Sequence, residues 1–145
     1  MKVTLLLVLL GFALFYDPDA AVSYALAYCR DYNGAYNSYP GNDCANFVSQ
    51  CLIYGGEDLS GCAGLDDKGA IPSVSDLKSC LSSKGWRSSS TRPSSFIAGY
   101  PFFHNSYSHA MIATSVNSGS VYYAGHTNDR CGDVSISSGV TWYYR

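Results

Sequence analysis

The first half of the chain is a series of apolar stripes with the spacing of α-helices, separated by polar or glycine-rich turns. Each stripe follows a residue of the kind that caps a helix N-terminus. The pattern predicts three helices, which begin after Asp17, Asp43 and Ser73 and end near Cys29, Tyr54 and Lys84. Residues 30–42 and 57–70, which are rich in glycine and polar residues, are predicted to be loops.

From Phe96 onward the pattern changes to the alternating, aromatic-rich segments that are typical of β-strands. The predicted strands are a broken one at 96–103, followed by 109–116, 120–126, 134–136 and 140–144. Residues 88–95 and 127–132 are predicted to be connectors. Helices first and antiparallel strands last predict an α+β fold, in which N-terminal helices pack on a C-terminal antiparallel sheet.

The N-terminus has the pattern of a secretory signal peptide. Lys2 precedes an unbroken apolar run over residues 3–10, which predicts a signal at residues 1–15 with cleavage between residues 13 and 16. A retained anchor or a buried strand is the alternative, but the run is too short to span a bilayer comfortably. We therefore expect a single secreted domain over residues 16–145, extracellular or lumenal, without membrane contact after cleavage.

Charge and composition narrow the classes of partner. The net charge is -2 and 14% of the residues are charged, so no basic patch of the kind that selects nucleic acid or an anionic membrane is expected. The 13 tyrosines suit a hydroxyl-rich extracellular surface. No Cys-x-x-Cys or His-x-x-x-His spacing occurs, so we expect no metal and no other cofactor. We expect a monomer.

Six cysteines in a secreted chain suggest disulfides. If Cys44 stays free for chemistry, Cys51 on the buried side of the same predicted helix is the natural second free thiol. The remaining four, which allow three connectivities that the sequence does not distinguish, are Cys29, Cys62, Cys80 and Cys131. A bridge between Cys51 and Cys62, with another thiol left over, is the alternative.

A cysteine at the mouth of a predicted helix is the main candidate for chemistry. Asp43 is placed as the N-cap, and Cys44 then occupies the first helical position, where the positive end of the helix favours the thiolate. His109 opens one predicted strand and His126 ends the next, so a tight hairpin makes them neighbours. This order predicts a nucleophile at Cys44, a general base at His109 and an orienting residue at His126, with Asn128 as the alternative orienting residue.

Several segments match the pattern of a known family in the right order. They are Tyr16-Asp17 with residues 20–25, Asp43-Cys44-Ala45-Asn46-Phe47-Val48-Ser49-Gln50-Cys51-Leu52, Gly55-Gly56, His109-Ala110-Met111-Ile112 and Gly125-His126-Thr127-Asn128-Asp129-Arg130. On these residues the chain resembles the Putative amidase domain family, which is similar to papain-like NlpC-type cell-wall peptidases. The resemblance implies a papain-like cysteine hydrolase with Cys44, His109 and His126 as catalytic residues, and it supports a free Cys51.

The resemblance also implies a substrate class. It predicts a secreted amidase or peptidase, antibacterial or digestive, that cuts amide bonds in the peptide stems of bacterial peptidoglycan. Asp43 and Tyr39 are expected to bind substrate, Asp43 through a substrate amine unless it serves only as the helix cap. The rival prediction is a secreted, disulfide-stabilised module that binds carbohydrate or peptide without cutting it, which a tyrosine-rich surface would suit.

Overall fold

A computed structural model describes residues 15–145 of the 145-residue chain. Three helices are followed by six strands: α1 Pro18–Tyr28, α2 Cys44–Tyr54, α3 Val74–Ser83, β1 Arg87–Ser89, β2 Pro101–His104, β3 Ala110–Val116, β4 Val121–Gly125, β5 Arg130–Ile136 and β6 Val140–Tyr144. None of the helices in the described part is long and apolar enough to cross a membrane. The predicted signal peptide falls on residues 1–15, which apart from residue 15 lie outside the described range.

The strands form one antiparallel sheet in the order β1-β6-β2-β3-β4-β5, which confirms the α+β prediction. Successive side chains of a strand point to opposite faces, and β3 shows this clearly. Ala110 and Ile112 belong to the core shared with the helices, whereas Met111 and Ala113 belong to a second core on the other face. The helices therefore cover one face of the sheet, and α2 lies in that layer with its apolar side inward.

The second core is built from aromatic rings rather than from another layer of helices. Phe96 lies edge-on to Trp142 with ring centroids 4.9 Å apart, and Phe102 is 5.1 Å from Trp142. Phe96 was predicted to be part of a strand, and that prediction is wrong. The residue lies at the end of a turn, and its ring fills this core. The strand that follows is Pro101–His104.

Two other strand boundaries differ from the prediction. Arg87–Ser89 forms a short edge strand paired with β6, although residues 88–95 were predicted to be a connector. The strand predicted at 134–136 begins at Arg130, because residues 130 and 131 pair with the end of β4 across a bulge. Neither segment has the apolar alternation that marks a half-buried strand, so only pairing with a neighbour reveals them.

All three helices begin directly after the predicted N-cap residues, but only two of those side chains make a capping hydrogen bond. The side chain of Asp17 accepts a hydrogen bond from the Ala20 N–H at 3.1 Å, and the Ser73 hydroxyl accepts one from the Asp76 N–H at 3.3 Å. Asp43 precedes α2 as predicted, but its side chain makes no capping hydrogen bond. The carboxylate of Asp43 is used elsewhere.

The cysteines pair in one of the three possible ways. Cys29 is bonded to Cys131 and Cys62 to Cys80, while Cys44 and Cys51 are free and buried. The alternative bridge between Cys51 and Cys62 is therefore wrong. The first disulfide fastens the end of α1 to β5, and the second fastens the 57–70 loop to α3.

The two disulfides should differ in their contribution to stability, because their closed loops differ in length. Replacing Cys29 and Cys131 together by Ser opens a loop of sequence separation 102, whereas the Cys62–Cys80 loop has a separation of 18. The loss in free energy of unfolding, measured with urea under non-reducing conditions, is expected to be about 4–5 kcal/mol for the first pair. For the matched Cys62→Ser, Cys80→Ser variant it is expected to be about 3 kcal/mol. A larger loss for the second pair would contradict the expectation.

Candidate active site

Cys44 is the first residue of α2, as predicted, and its thiol is unpaired. The residue is 2% exposed and belongs to the core shared by the helices and the sheet, so the thiol is almost fully enclosed. Because Asp43 does not cap α2, the first N–H groups of the helix receive no side-chain acceptor. A thiol next to uncapped helix N–H groups is an arrangement that can hold developing negative charge.

Asp43 is the most highly connected polar residue of the site. Its side chain is fully buried, with 0% exposure. The Oδ1 atom accepts hydrogen bonds from the Tyr39 N–H at 2.8 Å and from the Asn46 amide at 3.0 Å. The other carboxylate oxygen is 2.6 Å from Nδ1 of His126. Asp43 thus joins the loop before α2, the first turn of α2 and the end of β4.

His126 is held on both sides of its ring. Nδ1 binds Asp43, and Nε2 is 2.7 Å from the carbonyl oxygen of Tyr28 at the end of α1. A carbonyl oxygen only accepts, so Nε2 carries a hydrogen and a single further proton is shared between Nδ1 and Asp43. The ring also stacks on Phe47 with centroids 3.9 Å apart, and it is 1% exposed. His126 is therefore locked in place by three neighbouring elements.

His109 lies immediately before β3 and is brought together with a different set of residues. Its carbonyl oxygen accepts from the His104 N–H at 3.0 Å, and the Tyr107 ring is 5.8 Å from its own. Burial lowers the pKa of His109 below the ordinary value of 6.5, and the neighbouring His104 lowers it further. Among residues 15–145, no hydrogen bond joins His109 to Cys44 or to His126.

The predicted hydrogen bond between the two histidines is absent for a geometric reason. The β3–β4 register pairs Ile112 with Ala124, and two residues further this places Ala110, rather than His109, opposite His126. Both ring nitrogens of His126 are already bonded to other groups. Asn128, the alternative orienting residue, is exposed in the turn after β4.

Tyr39 belongs to a loop that is tied to the acidic segment 66–67. Its hydroxyl donates to Asp66 at 2.9 Å, and this bond, together with burial, raises the pKa of Tyr39 above its ordinary value. The Asn37 amide donates to Asp67 at 2.5 Å, and the Asn37 carbonyl accepts from the Asn46 amide. The side chain of Tyr39 is half-buried, so part of it faces solvent. Its predicted contact with substrate stays a prediction.

Asp43 was also predicted to contact substrate through an amine. The carboxylate has no exposed surface and is bonded on both oxygens, so a substrate can reach it only if the loop carrying Tyr39 moves away.

Sequence reasoning missed the pairing of Asp43 with His126. The sequence carries little signal for this pairing, because the burial that makes a partner necessary for Asp43 is visible only in the structure. In residues 15–145 no cluster of acidic, histidine or cysteine side chains is arranged to hold a metal ion.

The family model described as Putative amidase domain matches residues 15–96, more than half of the chain. The chain therefore belongs to this family, and membership indicates a hydrolase that acts on amide bonds. The matched segment contains α1, α2, Asp43 and Cys44, and it ends before His109 and His126. No curated protein and no solved structure matches the chain.

Breaking the buried pair should be costly, because it leaves one polar partner without its bond. Asp43→Asn is expected to lower the free energy of unfolding by about 3–5 kcal/mol, measured by urea denaturation. Asp31→Asn, at an exposed carboxylate that makes no side-chain hydrogen bond in the described residues, is the matched control and should change it by less than about 0.5 kcal/mol. A double-mutant cycle with His126→Leu should show a coupling of about 1–3 kcal/mol. Strict additivity would mean that the two side chains do not stabilise each other.

Proposed function

We propose that this protein is a secreted cysteine hydrolase that cleaves amide bonds in the peptide stems of bacterial peptidoglycan. The observation that carries the proposal is the free Cys44 at the uncapped N-terminus of α2, inside the segment that matches the amidase family. Four of the six cysteines are bonded and Cys44 is spared, as a nucleophile requires. A binding module without catalysis would have no need of a free thiol at this position.

In the proposed reaction neutral His109 takes the proton of the Cys44 thiol, the resulting thiolate attacks the amide carbonyl carbon, and the carbonyl π electron pair moves onto oxygen. The uncapped N–H groups at the start of α2 stabilise this oxyanion. The tetrahedral intermediate collapses, the carbon–nitrogen bond breaks and protonated His109 gives its proton to the leaving amine. Water then attacks the thioester carbonyl as His109 takes one of its protons, the carbon–sulfur bond breaks to release the acid product, and His109 returns the proton to the Cys44 sulfur.

His109 is the proposed base because its lowered pKa keeps the imidazole neutral, and hence able to accept a proton, at neutral pH. The thiol and this imidazole are not hydrogen-bonded in the described structure, so the proton transfer requires the His109 ring to approach Cys44 in the substrate complex. Catalytic hydrogen bonds that form only in such complexes are common. The proposal leaves His126 as a positioning residue that acts through Asp43 on the start of α2.

The proposed extracellular location and the proposed substrate are supported by different observations. Two disulfides are consistent with an extracellular protein, and no helix in residues 15–145 is able to span a membrane. A net charge of -2 gives no electrostatic capture of anionic wall polymers, so wall peptides would be held by contacts at the site. Tyr39 and the loop around it, next to α2, are the proposed substrate-binding elements. We propose a monomer that binds neither nucleic acid nor, once the signal is removed, membrane.

Removing the nucleophile should abolish turnover without unfolding the protein. Cys44→Ala is expected to release no stem fragments from a peptidoglycan digest analysed by mass spectrometry, a loss of at least about 10³-fold. Cys51→Ala is the matched control, since Cys51 is on the same helix, and burial raises the pKa of its thiol and keeps it unreactive. The control should retain activity. Release of the same fragments by Cys44→Ala would refute cysteine catalysis at this position.

The activity should also depend on pH in a defined direction. A base with a lowered pKa becomes active as pH rises through that pKa, so the acid limb of kcat/KM should lie below pH 6.5. His104→Gln removes a neighbouring positive charge, so the pKa of His109 should rise and the limb should move to higher pH. If the acid limb of kcat/KM does not shift in the His104→Gln variant, His109 is not the titrating group.

A further inference from the structure

A tyrosine-lined pocket lies beside α1 and the C-terminal end of α2. Its volume is about 460 Å³, within the usual range for small-molecule sites of about 300–1,000 Å³. The polar and aromatic residues around it are Ser23, Tyr24, Tyr28, Asn33, Tyr36 and Tyr54. Cys44 is the first residue of α2 and Tyr54 the last, so the helical rise separates them by roughly 15 Å. The pocket is therefore distinct from the place where the thiol acts.

The floor of this pocket is rigid. Tyr24 is buried, its hydroxyl donates to Gln50 at 2.7 Å and it accepts from the Asn33 amide at 3.1 Å. The Tyr24 ring is 4.7 Å from Tyr28 and 5.2 Å from Tyr54, and both pairs are tilted rather than stacked. A floor whose polar atoms are already bonded presents mainly an aromatic surface, held in one orientation by its neighbours.

The walls are aromatic rings with free hydroxyl groups. Within residues 15–145, the side-chain hydroxyls of Tyr28, Tyr36 and Tyr54 make no hydrogen bond, and Tyr54 is 62% exposed. No charged side chain lines the pocket. A ligand that fits must be uncharged where it enters, must have an apolar face to lie on the rings and must carry groups that bond to phenolic hydroxyls.

A pyranose ring has these properties, since it combines an apolar C–H face with a rim of hydroxyl groups. We propose that this pocket binds one or two rings of a neutral saccharide, with Tyr54 and Tyr36 as the stacking walls and Tyr24 as the floor. The site would hold sugar whether or not Cys44 cuts an amide bond. Where both activities are present, it would keep a glycan close to the hydrolytic site.

A proline-rich peptide is the main rival occupant, because tyrosine-lined grooves also bind such segments. A pocket of this volume matches one or two compact rings better than an extended peptide. The free hydroxyls also favour a ligand with many hydrogen-bonding groups, which proline side chains lack. These observations support the saccharide.

The test uses the full chain with Cys44→Ala, so that binding is measured without turnover. Two uncharged trisaccharides, chitotriose and maltotriose, are titrated and followed by NMR and calorimetry. We expect at least one to bind saturably, with a Kd on the order of 0.1–1 mM. Adding Tyr54→Ala should weaken binding about tenfold, whereas Tyr54→Phe should retain most of it because the stacking ring remains. Tyr107→Ala, at a tyrosine that is 58% exposed on another part of the surface, should leave the Kd unchanged.

Three outcomes would overturn the proposal. The first is no saturable binding of either sugar at roughly 10 mM. The second is binding that is insensitive to both Tyr54→Ala and Tyr36→Ala. The third is tight binding of a proline-rich peptide with no binding of sugar. Tyr54 is exposed, so its substitution should not unfold the protein, and a thermal melt of each variant verifies this. Failure here leaves the amide-hydrolysis test untouched, because that test depends on Cys44 alone.

Discussion

The buried bond between Asp43 and His126 is the interaction on which the site depends. A carboxylate with no exposed surface is stable only when each oxygen has partners, and Asp43 obtains them from the Tyr39 loop, the Asn46 amide and the His126 ring. Tyr39 and Asn46 lie within four residues of Asp43 in the sequence, whereas His126 is 83 residues away. Satisfying one buried charge therefore determines where the start of α2 lies relative to the end of β4.

The same bond explains why α2 is left without a side-chain cap. A carboxylate directed at His126 does not reach the first N–H groups of the helix, so these groups stay available beside Cys44. The Cys29–Cys131 disulfide supports this arrangement at the end of α1, which it fastens to β5. The Tyr28 carbonyl in that part of α1 accepts the hydrogen bond from Nε2 of His126. The helix therefore lacks the stabilisation of a side-chain cap, and its first N–H groups remain able to bind a negative charge.

The two free cysteines show how one helix keeps thiols for different purposes. Cys51 faces the core, and burial raises the pKa of its thiol well above the usual value, so it behaves as a small apolar residue. Cys44, seven residues earlier, is placed at the helix start, where neighbouring backbone dipoles favour charge. Both thiols are buried, and they differ in that only Cys44 lies beside the uncapped N–H groups at the helix start.

The sequence alone predicts the α+β order, the three helix starts, the position of Cys44 and the unpaired state of Cys51, because each depends on local capping, hydrophobic period or the cysteine count. It missed β1 and the start of β5, which exist only through pairing with β6 and β4. It also predicted a hydrogen bond between His126 and His109 that does not form, because chain order does not reveal strand register. No local pattern specifies that His126 binds Asp43, because this pairing depends on which buried carboxylate lies within bonding distance once the helices and the sheet are packed together.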